Sequence, residues 1–207
     1  MYKVFFKDRI LFLTDTLEQD LTPNFNALHK YSSHHELQQF IQTFESNSNL
    51  ATAYLYGRKE DFLLQALKKC YQFITAAGGL VVNPHNEVLI IHRLGVFDLP
   101  KGKTEKDETF RHTALREVEE ECGLDNLMIR HPLLSTFHTY EQNNIHYLKE
   151  TAWFFMDYFG FDQPKPQLEE NITAARWMKK EDLSDVLNNT YPSILEVFKK
   201  ADLLNEE

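Results

Sequence analysis

The stretch GKTEKDETFRHTALREVEEECGL, from Gly102 to Leu124, decides how this chain folds and holds a dense cluster of acidic residues. We interpret Pro100–Gly102 as a loop that opens it. Asp107 is a candidate helix N-cap, and Gly123 suits the residue that ends a helix. The sequence therefore predicts a helix of about four turns between Asp107 and Gly123.

Three carboxylates share one face of this predicted helix. Glu117, Glu120 and Glu121 stand at i, i+3 and i+4, so their side chains are neighbours. Like charges at this spacing cost about 0.2–0.5 kcal/mol per pair unless a cation lies among them. The cluster predicts a hard cation, Mg²⁺ or Mn²⁺, bound by oxygen ligands. The competing interpretation is an ordinary solvated acidic face. An adjacent apolar stripe, suited to docking the helix on a core, consists of Phe110, Ala114, Val118 and Cys122.

The spacing favours the cation, because the stretch resembles the Nudix box. The box pattern is Gly, five free positions, Glu, seven free positions, then Arg-Glu-aliphatic-any-Glu-Glu-any-Gly-aliphatic. This chain supplies it with Gly102, Glu108, Arg116, Glu117, Val118, Glu120, Glu121, Gly123 and Leu124. The resemblance implies an α/β (α+β) fold, a Nudix-like α/β/α sandwich with a mixed sheet. It also implies metal-dependent hydrolysis of a diphosphate bond in a nucleoside diphosphate linked to another moiety.

The same resemblance assigns roles within the box. The implied metal ligands are Gly102, through its carbonyl, and Glu117, Glu120 and Glu121. Arg116 and Glu108 would orient these carboxylates, since a guanidinium fork matches two carboxylate oxygens. The general base stays open: either Glu120 or Glu121 serves, or one of the carboxylates outside the box, which are Glu141, Glu150, Glu169 and Glu170.

Residues near the box are candidates for binding the substrate. Lys101 and Lys103 flank Gly102 and Arg93 ends the preceding strand, so each is either a phosphate contact or a solubilising surface charge. The Pro-Lys-Gly-Lys entry resembles the Nudix branch that acts on diadenosine polyphosphates and diphosphoinositol polyphosphates. Tyr140 follows the box about where diadenosine-polyphosphate hydrolases carry a tyrosine that can stack on a base. The sequence thus favours such substrates over ADP-ribose and nucleoside triphosphates.

Two other functions are compatible with the same fold. A nucleotide-binding sensor would bind without cleaving, but such sensors often lack metal-site carboxylates and here all are present. Isomerisation of an isoprenoid diphosphate would need a well-placed cysteine. Cys122 lies on the apolar stripe and Cys70 lies outside the predicted domain, so neither suits that role.

The strands outside the box can be placed from their apolar runs. ITAAGGLVVN and EVLIIHRL flank the turn Asn83–Asn86 and predict a hairpin. The run Ile145–Tyr158 carries three consecutive aromatic residues, Trp153–Phe155, which predicts a strand covered on both faces.

Residues 1–72 lie outside the resemblance and predict a small β-β-α-β-α module. Tyr2–Phe6 and Ile10–Leu13 indicate a hairpin, and the spacing of Ser33 and Glu36 is typical of a capping box before a helix. The composition changes after residue 72, which leaves 73–207 as the Nudix domain. Two roles for the module stay open: a contact that forms a homodimer, or a wall of the substrate pocket.

Composition bounds the class of protein. With 207 residues, of which 43% are apolar, the chain can bury one good core and a second small one. A formal charge of −9 argues against a nucleic-acid partner. No run approaches the roughly 18 apolar residues of a membrane span, and the N-terminus alternates apolar and charged residues too early for a signal peptide. We expect a cytoplasmic protein with small-molecule substrates, no membrane partner and reduced cysteines.

Overall fold

A computed structural model describes residues 1–204 and divides into two compact units. The first unit consists of Met1–Ile74 and Phe137–Lys149, and the second of Thr75–Thr136 and the chain from Glu150 onward. The sequence predicted a single boundary after residue 72. In the structure, residues 137–149 also belong to the first unit. The second predicted domain ran to residue 207, and its residues 205–207 lie outside the described part of the chain.

The first unit is built on parallel and antiparallel strand pairs. Its elements are β1 (Tyr2–Phe6), β2 (Arg9–Thr14), α1 (Leu17–Asp20), β3 (Ala27–Lys30), α2 (His34–Ser46), β4 (Thr52–Tyr56), α3 (Glu60–Lys68) and parts of the long strands β9 (Leu127–Gln142) and β10 (Ile145–Tyr158). The strands are ordered β9-β1-β2-β4-β3. Strands β1 and β2 are antiparallel and confirm the predicted hairpin, whereas β1/β9, β2/β4 and β3/β4 are parallel.

The connection between β2 and α2 departs from the predicted β-β-α-β-α order. It contains the short helix α1 and the strand β3, where the sequence predicted only a polar connection. The side chains of β3 alternate between half-buried and exposed, so this four-residue strand lacks a strong apolar signal. The start of α2 is confirmed, because the Ser33 hydroxyl accepts the Glu36 N–H at 3.2 Å as an N-cap.

Helices α2 and α3 cover the core of the first unit. Leu37, Ile41 and Phe44 of α2 pack in one cluster with Leu63 and Leu67 of α3. That cluster also contains apolar residues of the strands, which are Val4, Phe6, Leu11, Leu13, Ala53, Leu55, Phe137 and Leu148. The helices therefore shield the apolar face of the strands from water.

Arg9 fastens the C-terminal end of α2 to the hairpin. Its guanidinium donates to the Phe44 carbonyl, to the Glu45 carbonyl at 3.3 Å and to the Asn47 carbonyl at 3.1 Å. It also lies over the Phe44 ring, 5.0 Å from the centroid. The last carbonyls of a helix have no intrahelical partner, so Arg9 supplies donors to Phe44 and Glu45, whereas the Asn47 carbonyl also accepts the Leu50 N–H.

Replacing Arg9 with Met is expected to lower the free energy of unfolding by about 1–2 kcal/mol, because these carbonyls lose a charged donor. Arg9→Lys is the matched control: it keeps the charge but not the fork, so its loss should be smaller. Urea unfolding followed by circular dichroism measures both. An unfolding midpoint for Arg9→Met equal to that of the wild type would show that water satisfies the carbonyls equally well.

The second unit contains most of the remaining elements. They are β5 (Gln72–Val82) from Thr75 onward, β6 (Val88–Arg93), β7 (Val96–Asp98), β8 (Lys101–Lys103), α4 (Phe110–Cys122), β9 up to Thr136, β10 from Glu150 onward, β11 (Ile172–Met178), α5 (Ser184–Asn188) and α6 (Pro192–Lys200). Short 3₁₀ turns occupy Leu168–Glu170 and Lys180–Asp182. The strands are ordered β11-β6-β5-β10-β9, with β7 paired to β6 and β8 to β5.

Both faces of the sheet are covered within this unit, as the aromatic run of β10 predicted. Phe154 packs in a cluster with Val118 and Cys122 of α4. Its neighbour Trp153 packs in a different cluster with Val197 and Phe198 of α6. The mixed sheet with helices on both faces confirms the predicted α/β/α sandwich. Among residues 1–204, no helix is both long and apolar enough to cross a membrane.

Candidate active site

Helix α4 carries the acidic cluster and begins later than predicted. Its N-cap is Thr109, whose hydroxyl accepts the His112 N–H at 3.3 Å, so the assignment of Asp107 was wrong. Asp107 adopts the left-handed conformation, with φ 66°, in the turn before the helix. Gly123 ends the helix as predicted, with φ 62°, and its N–H donates to the Glu119 carbonyl at 2.8 Å.

The entry to the helix is a strand where the sequence predicted a loop. Lys101–Lys103 forms β8, which pairs antiparallel with β5 and places Gly102 opposite Ala77. The Pro100 carbonyl accepts the Gly79 N–H at 3.1 Å, and a Cβ at Gly78 would collide with that carbonyl. The absence of a side chain at Gly78 thus allows this close approach of the main chains. Helix α4 packs against β8 and brings the box residues together.

Arg116 lies at the centre of the site. Its Nε and Nη2 donate to the two oxygens of Glu108 at 2.9 and 3.0 Å. Its Nη1 donates to Glu117 Oε1 at 2.8 Å and to Glu120 Oε2 at 2.9 Å. Nη2 also donates to the Lys103 carbonyl at 3.0 Å. One guanidinium thereby ties two carboxylates of the helix to the segment that precedes it.

Glu108 is the anchor for Arg116. The carboxylate is only 6% exposed and also accepts the Thr113 hydroxyl at 2.8 Å and the Glu105 N–H at 3.0 Å. Hydrogen bonds from Arg116, helped by those from Glu105 and Thr113, lower the pKa of Glu108 to about 2. Glu108 is therefore a carboxylate at neutral pH. Sequence reasoning missed Thr113, because a threonine at a free box position carries no signal of its own.

Glu121 and Glu120 have opposite environments although they are adjacent in sequence. Glu121 is 2% exposed; its Oε2 accepts the Lys101 N–H at 2.9 Å, and Arg93 Nη1 is 3.8 Å from its Oε1. Burial raises the pKa of Glu121 to about 7, although Lys101 and Arg93 oppose this shift. Glu120, in contrast, is 52% exposed. The site thus combines one buried and one solvated carboxylate.

The donor set suits a hard cation. Gly102 has no side chain, and a Cβ there would collide with the Glu117 carboxylate, which lies directly against the main chain. Carboxylate and carbonyl oxygens, the groups that Glu117, Glu120, Glu121 and Gly102 offer, are preferred by Mg²⁺ and Mn²⁺. Within residues 1–204, no three His, Cys, Asp or Glu side chains already form a metal cluster. Arg116 supplies the positive charge among Glu117 and Glu120 in this structure.

The predicted substrate-binding residues have diverse environments. The Lys101 ammonium pairs with buried Asp98. Arg93 donates to the Glu170 carbonyl and carboxylate, both at 2.9 Å. Lys103 is exposed and contributes its carbonyl to Arg116. Tyr140 lies in the first unit, where its ring stacks on Tyr147 with a centroid distance of 5.0 Å.

The candidate general bases outside the box also differ in their contacts. Glu150 accepts the Ser135 hydroxyl at 3.2 Å and is half-buried. Glu170 pairs with Arg93, which itself lies near Glu121. Glu141 and Glu169 are exposed. Glu170 is thus linked to the box carboxylates through Arg93, a connection between distant segments that the sequence did not indicate.

Comparison with protein families and curated proteins shows similarity to a known domain family. The family model for the NUDIX domain matches residues 72–200. An 8-oxo-dGTP diphosphatase from Proteus vulgaris is 38% identical over 55 residues, which cover 24% of this chain and 49% of that protein. The chain therefore spans about half the length of this curated relative.

Solved structures with the same fold include two that match at a TM-score of 0.50. An Ap4A hydrolase from C. elegans, in a binary complex, is 18% identical, and the match covers 62% of this chain and 95% of that chain. A NUDIX hydrolase from Nitrosomonas europaea is 17% identical, with 66% and 98% covered. At these identities the likeness concerns the fold alone.

Proposed function

The chain belongs to the Nudix family, and we propose that it is a metal-dependent pyrophosphohydrolase. Its substrate would be a nucleoside diphosphate linked to another moiety, and its product set would follow from water attacking one phosphorus of the diphosphate. The observation that carries this proposal is the set of Glu117, Glu120 and Glu121 on α4, braced by Arg116 and Glu108.

The residues that would hold the metal are Gly102, through its carbonyl, and Glu117, Glu120 and Glu121. When bound, Mg²⁺ or Mn²⁺ neutralises phosphate charge and lowers the pKa of a coordinated water. Arg116 and Glu108 orient the carboxylates, since the guanidinium bonds two of the acidic side chains as well as Glu108. The Lys101 N–H of β8 donates to Glu121 and holds its carboxylate.

Phosphoryl transfer depends on positioning and charge neutralisation more than on covalent chemistry by the protein. Arg93 is a basic side chain near Glu121, and Lys103 is exposed beside Gly102. We assign these two to the substrate's phosphates. The Lys101 ammonium, predicted for the same role, is held by Asp98 instead.

For the substrate, we propose a dinucleoside polyphosphate or a diphosphoinositol compound ahead of ADP-ribose and nucleoside triphosphates. The support is the Pro100–Lys103 sequence and the position of Tyr140 in the sequence after the box. The similarity to an 8-oxo-dGTP diphosphatase over 55 residues supports a purine nucleotide more generally. An oxidised purine triphosphate therefore belongs among the compounds to be tested.

A substrate panel tests this proposal. The full-length protein is incubated with Mg²⁺ or Mn²⁺ and, separately, with Ap4A, a diphosphoinositol phosphate, ADP-ribose, dGTP and 8-oxo-dGTP, and products are resolved by anion-exchange chromatography. We expect kcat/KM for Ap4A or the diphosphoinositol phosphate to exceed the other values, and EDTA to abolish turnover. ADP-ribose as the single good substrate would refute the ordering.

The panel also distinguishes the enzyme from a nucleotide sensor built on the same fold. A sensor would bind one of these compounds in isothermal titration calorimetry without producing phosphate or nucleotide products. Binding without cleavage in the presence of either metal would therefore overturn the hydrolase proposal.

A further inference from the structure

We infer that Asp98 is a positioning residue: by holding the Lys101 ammonium, it fixes the main chain at Pro100–Gly102 against Glu121 and Glu117. Its effect on catalysis rests on the proposed hydrolase function. Its effect on the position of the main chain does not, so the two can be tested separately.

Asp98 and Lys101 form a largely buried ion pair in the turn between β7 and β8. The Asp98 side chain is 3% exposed and that of Lys101 is 11% exposed. The Lys101 ammonium pairs with Asp98 Oδ2, and its nitrogen is 3.5 Å from the Leu99 carbonyl oxygen. The other oxygen, Asp98 Oδ1, accepts the Leu99 N–H at 2.8 Å. Both oxygens of this buried carboxylate therefore have a donor.

The pairing gives Lys101 a different role from the predicted phosphate contact. To bind a phosphate, the ammonium would have to leave Asp98, and a buried carboxylate without its cation is strongly unfavourable. The Lys101 ammonium therefore binds a side chain of the protein and not the substrate. Its long side chain closes the turn by joining the end of β7 to the start of β8.

The main chain that this pair fixes lies directly against the box carboxylates. The Lys101 N–H donates to Glu121 Oε2 at 2.9 Å, and Gly102 leaves space for the Glu117 carboxylate. The Pro100 carbonyl is in turn bound by the Gly79 N–H of β5. Lys101 thus connects Asp98, through its side chain, to Glu121, through its main chain.

Small displacements here are expected to matter for turnover. A shift of about 1 Å in the supports of a reacting centre can lower a rate by roughly 100-fold. The Asp98 carboxylate bonds the Leu99 N–H and the Lys101 ammonium, and Lys101 in turn bonds Glu121, so the influence of Asp98 on the box passes through Lys101. Substitution of either Asp98 or Lys101 should therefore disturb the position of the main chain at Pro100–Gly102.

Amide hydrogen exchange tests the positioning without metal or substrate. The full-length protein and its Lys101→Met and Asp98→Asn variants are compared by NMR. Asn can still accept the Leu99 N–H. Asp98→Asn leaves only the Lys101 ammonium unpaired, which is less buried than the Asp98 carboxylate that Lys101→Met leaves, so Asp98→Asn keeps the test valid if Lys101→Met fails to fold. We expect the Lys101 N–H to exchange about tenfold faster in each folded variant. Unchanged exchange in Asp98→Asn would overturn the inference.

The matched control is Lys199→Met. Lys199 and Glu196 have the same sequence spacing as the Asp98–Lys101 pair, but Lys199 Nζ is 3.7 Å from Glu196 Oε1 and the Lys199 side chain is 62% exposed. Exchange of the Lys101 N–H is expected to be unchanged in this variant. If the loss of any surface lysine accelerated exchange of the Lys101 N–H, the exchange would be faster in Lys199→Met as well.

Steady-state kinetics on the preferred substrate of the panel then separates positioning from phosphate binding. We expect Asp98→Asn and Lys101→Met each to lower kcat about 10-fold or more with KM within about twofold of wild type. The double variant should be no slower than the slower single variant, because both act through one contact. A raised KM with unchanged kcat in Lys101→Met would identify a phosphate ligand and overturn the inference. If the wild type cleaves nothing in the panel, the proposed function fails, whereas hydrogen exchange still decides the role of Asp98.

Discussion

Replacing Glu121 with Gln is expected to lower metal-dependent turnover by about 100-fold or more, because the substitution removes charge from the candidate metal ligand that the protein buries most deeply. The amide oxygen of Gln can still accept the Lys101 N–H, so the local hydrogen bonding of β8 can persist. Glu120→Gln, on the exposed side of the cluster, is expected to lower turnover in the same direction.

The fold should survive the Glu121 substitution. A buried carboxylate is costly to ionise, as its raised pKa shows, and an amide avoids that cost. The free energy of unfolding is therefore expected to stay at or above the wild-type value. Steady-state kinetics with Mg²⁺ measure turnover, and urea unfolding of the same samples measures the free energy of unfolding.

Glu119→Gln is the matched control for both substitutions. Glu119 is exposed, lies on the same helix and occupies a free position of the box pattern. Its turnover is expected to remain within about twofold of wild type. Wild-type turnover in both Glu120→Gln and Glu121→Gln would refute the assignment of these carboxylates.

Replacing Arg116 with Met is expected to lower both stability and turnover. The substitution leaves Glu108, which is 6% exposed, without its bidentate partner, and frees Glu117 and Glu120 from their shared donor. Removing one partner of a buried ion pair costs about 3–5 kcal/mol. Arg116 is itself 20% exposed, so we expect a smaller loss, of about 2 kcal/mol. Turnover is expected to fall about 10- to 100-fold, as for other residues that orient metal ligands.

The double variant Arg116→Met with Glu108→Gln separates these two effects. The Glu108→Gln substitution removes the buried charge, and the new amide can still bond the Thr113 hydroxyl and the Glu105 N–H. Stability should therefore recover by about 1 kcal/mol or more, whereas turnover should stay low because Glu117 and Glu120 still lack Arg116. Recovery of both would show that Arg116 serves stability alone.

Arg111→Met provides the control for the loss of an arginine from α4. Arg111 is exposed, and its guanidinium lies 6.0 Å from the centroid of the Phe154 ring. A contact of this kind at an exposed site contributes about 0.5–1 kcal/mol, so the stability loss should be smaller than for Arg116→Met. Turnover should be close to wild type. Urea unfolding and steady-state kinetics compare the two arginine variants directly.

Local patterns in the sequence were sufficient for the elements whose signals are contained in neighbouring residues. The apolar stripe of α4 places Ala114, Val118 and Cys122 in the core, and Gly123 ends the helix. The hairpin β1/β2 and the cap at Ser33 were likewise predictable. In each case periodicity or a cap within a few residues carries the information.

Elements that depend on a partner distant in sequence could not be predicted from local patterns. Lys101–Lys103 is a strand only because β5 pairs with it, and β3 is a strand only because β4 lies beside it. The helix start was assigned to Asp107 instead of Thr109, because both residue types can cap and the choice depends on the turn that Glu108 closes by accepting the Glu105 N–H. Main-chain pairing and turn geometry decide such cases, and neither leaves a periodic pattern.

The sequence by itself determined the family, the acidic helix and the set of side chains from which the site is built, because the box fixes residue types at spacings along one helix. The tertiary structure alone decided how those side chains differ. It buries Glu121 under the Lys101 N–H, leaves Glu120 solvated, and turns the Lys101 ammonium towards Asp98. Burial and pairing are properties of segments brought together by folding, so the pattern of the box could name the carboxylates but could not assign their environments.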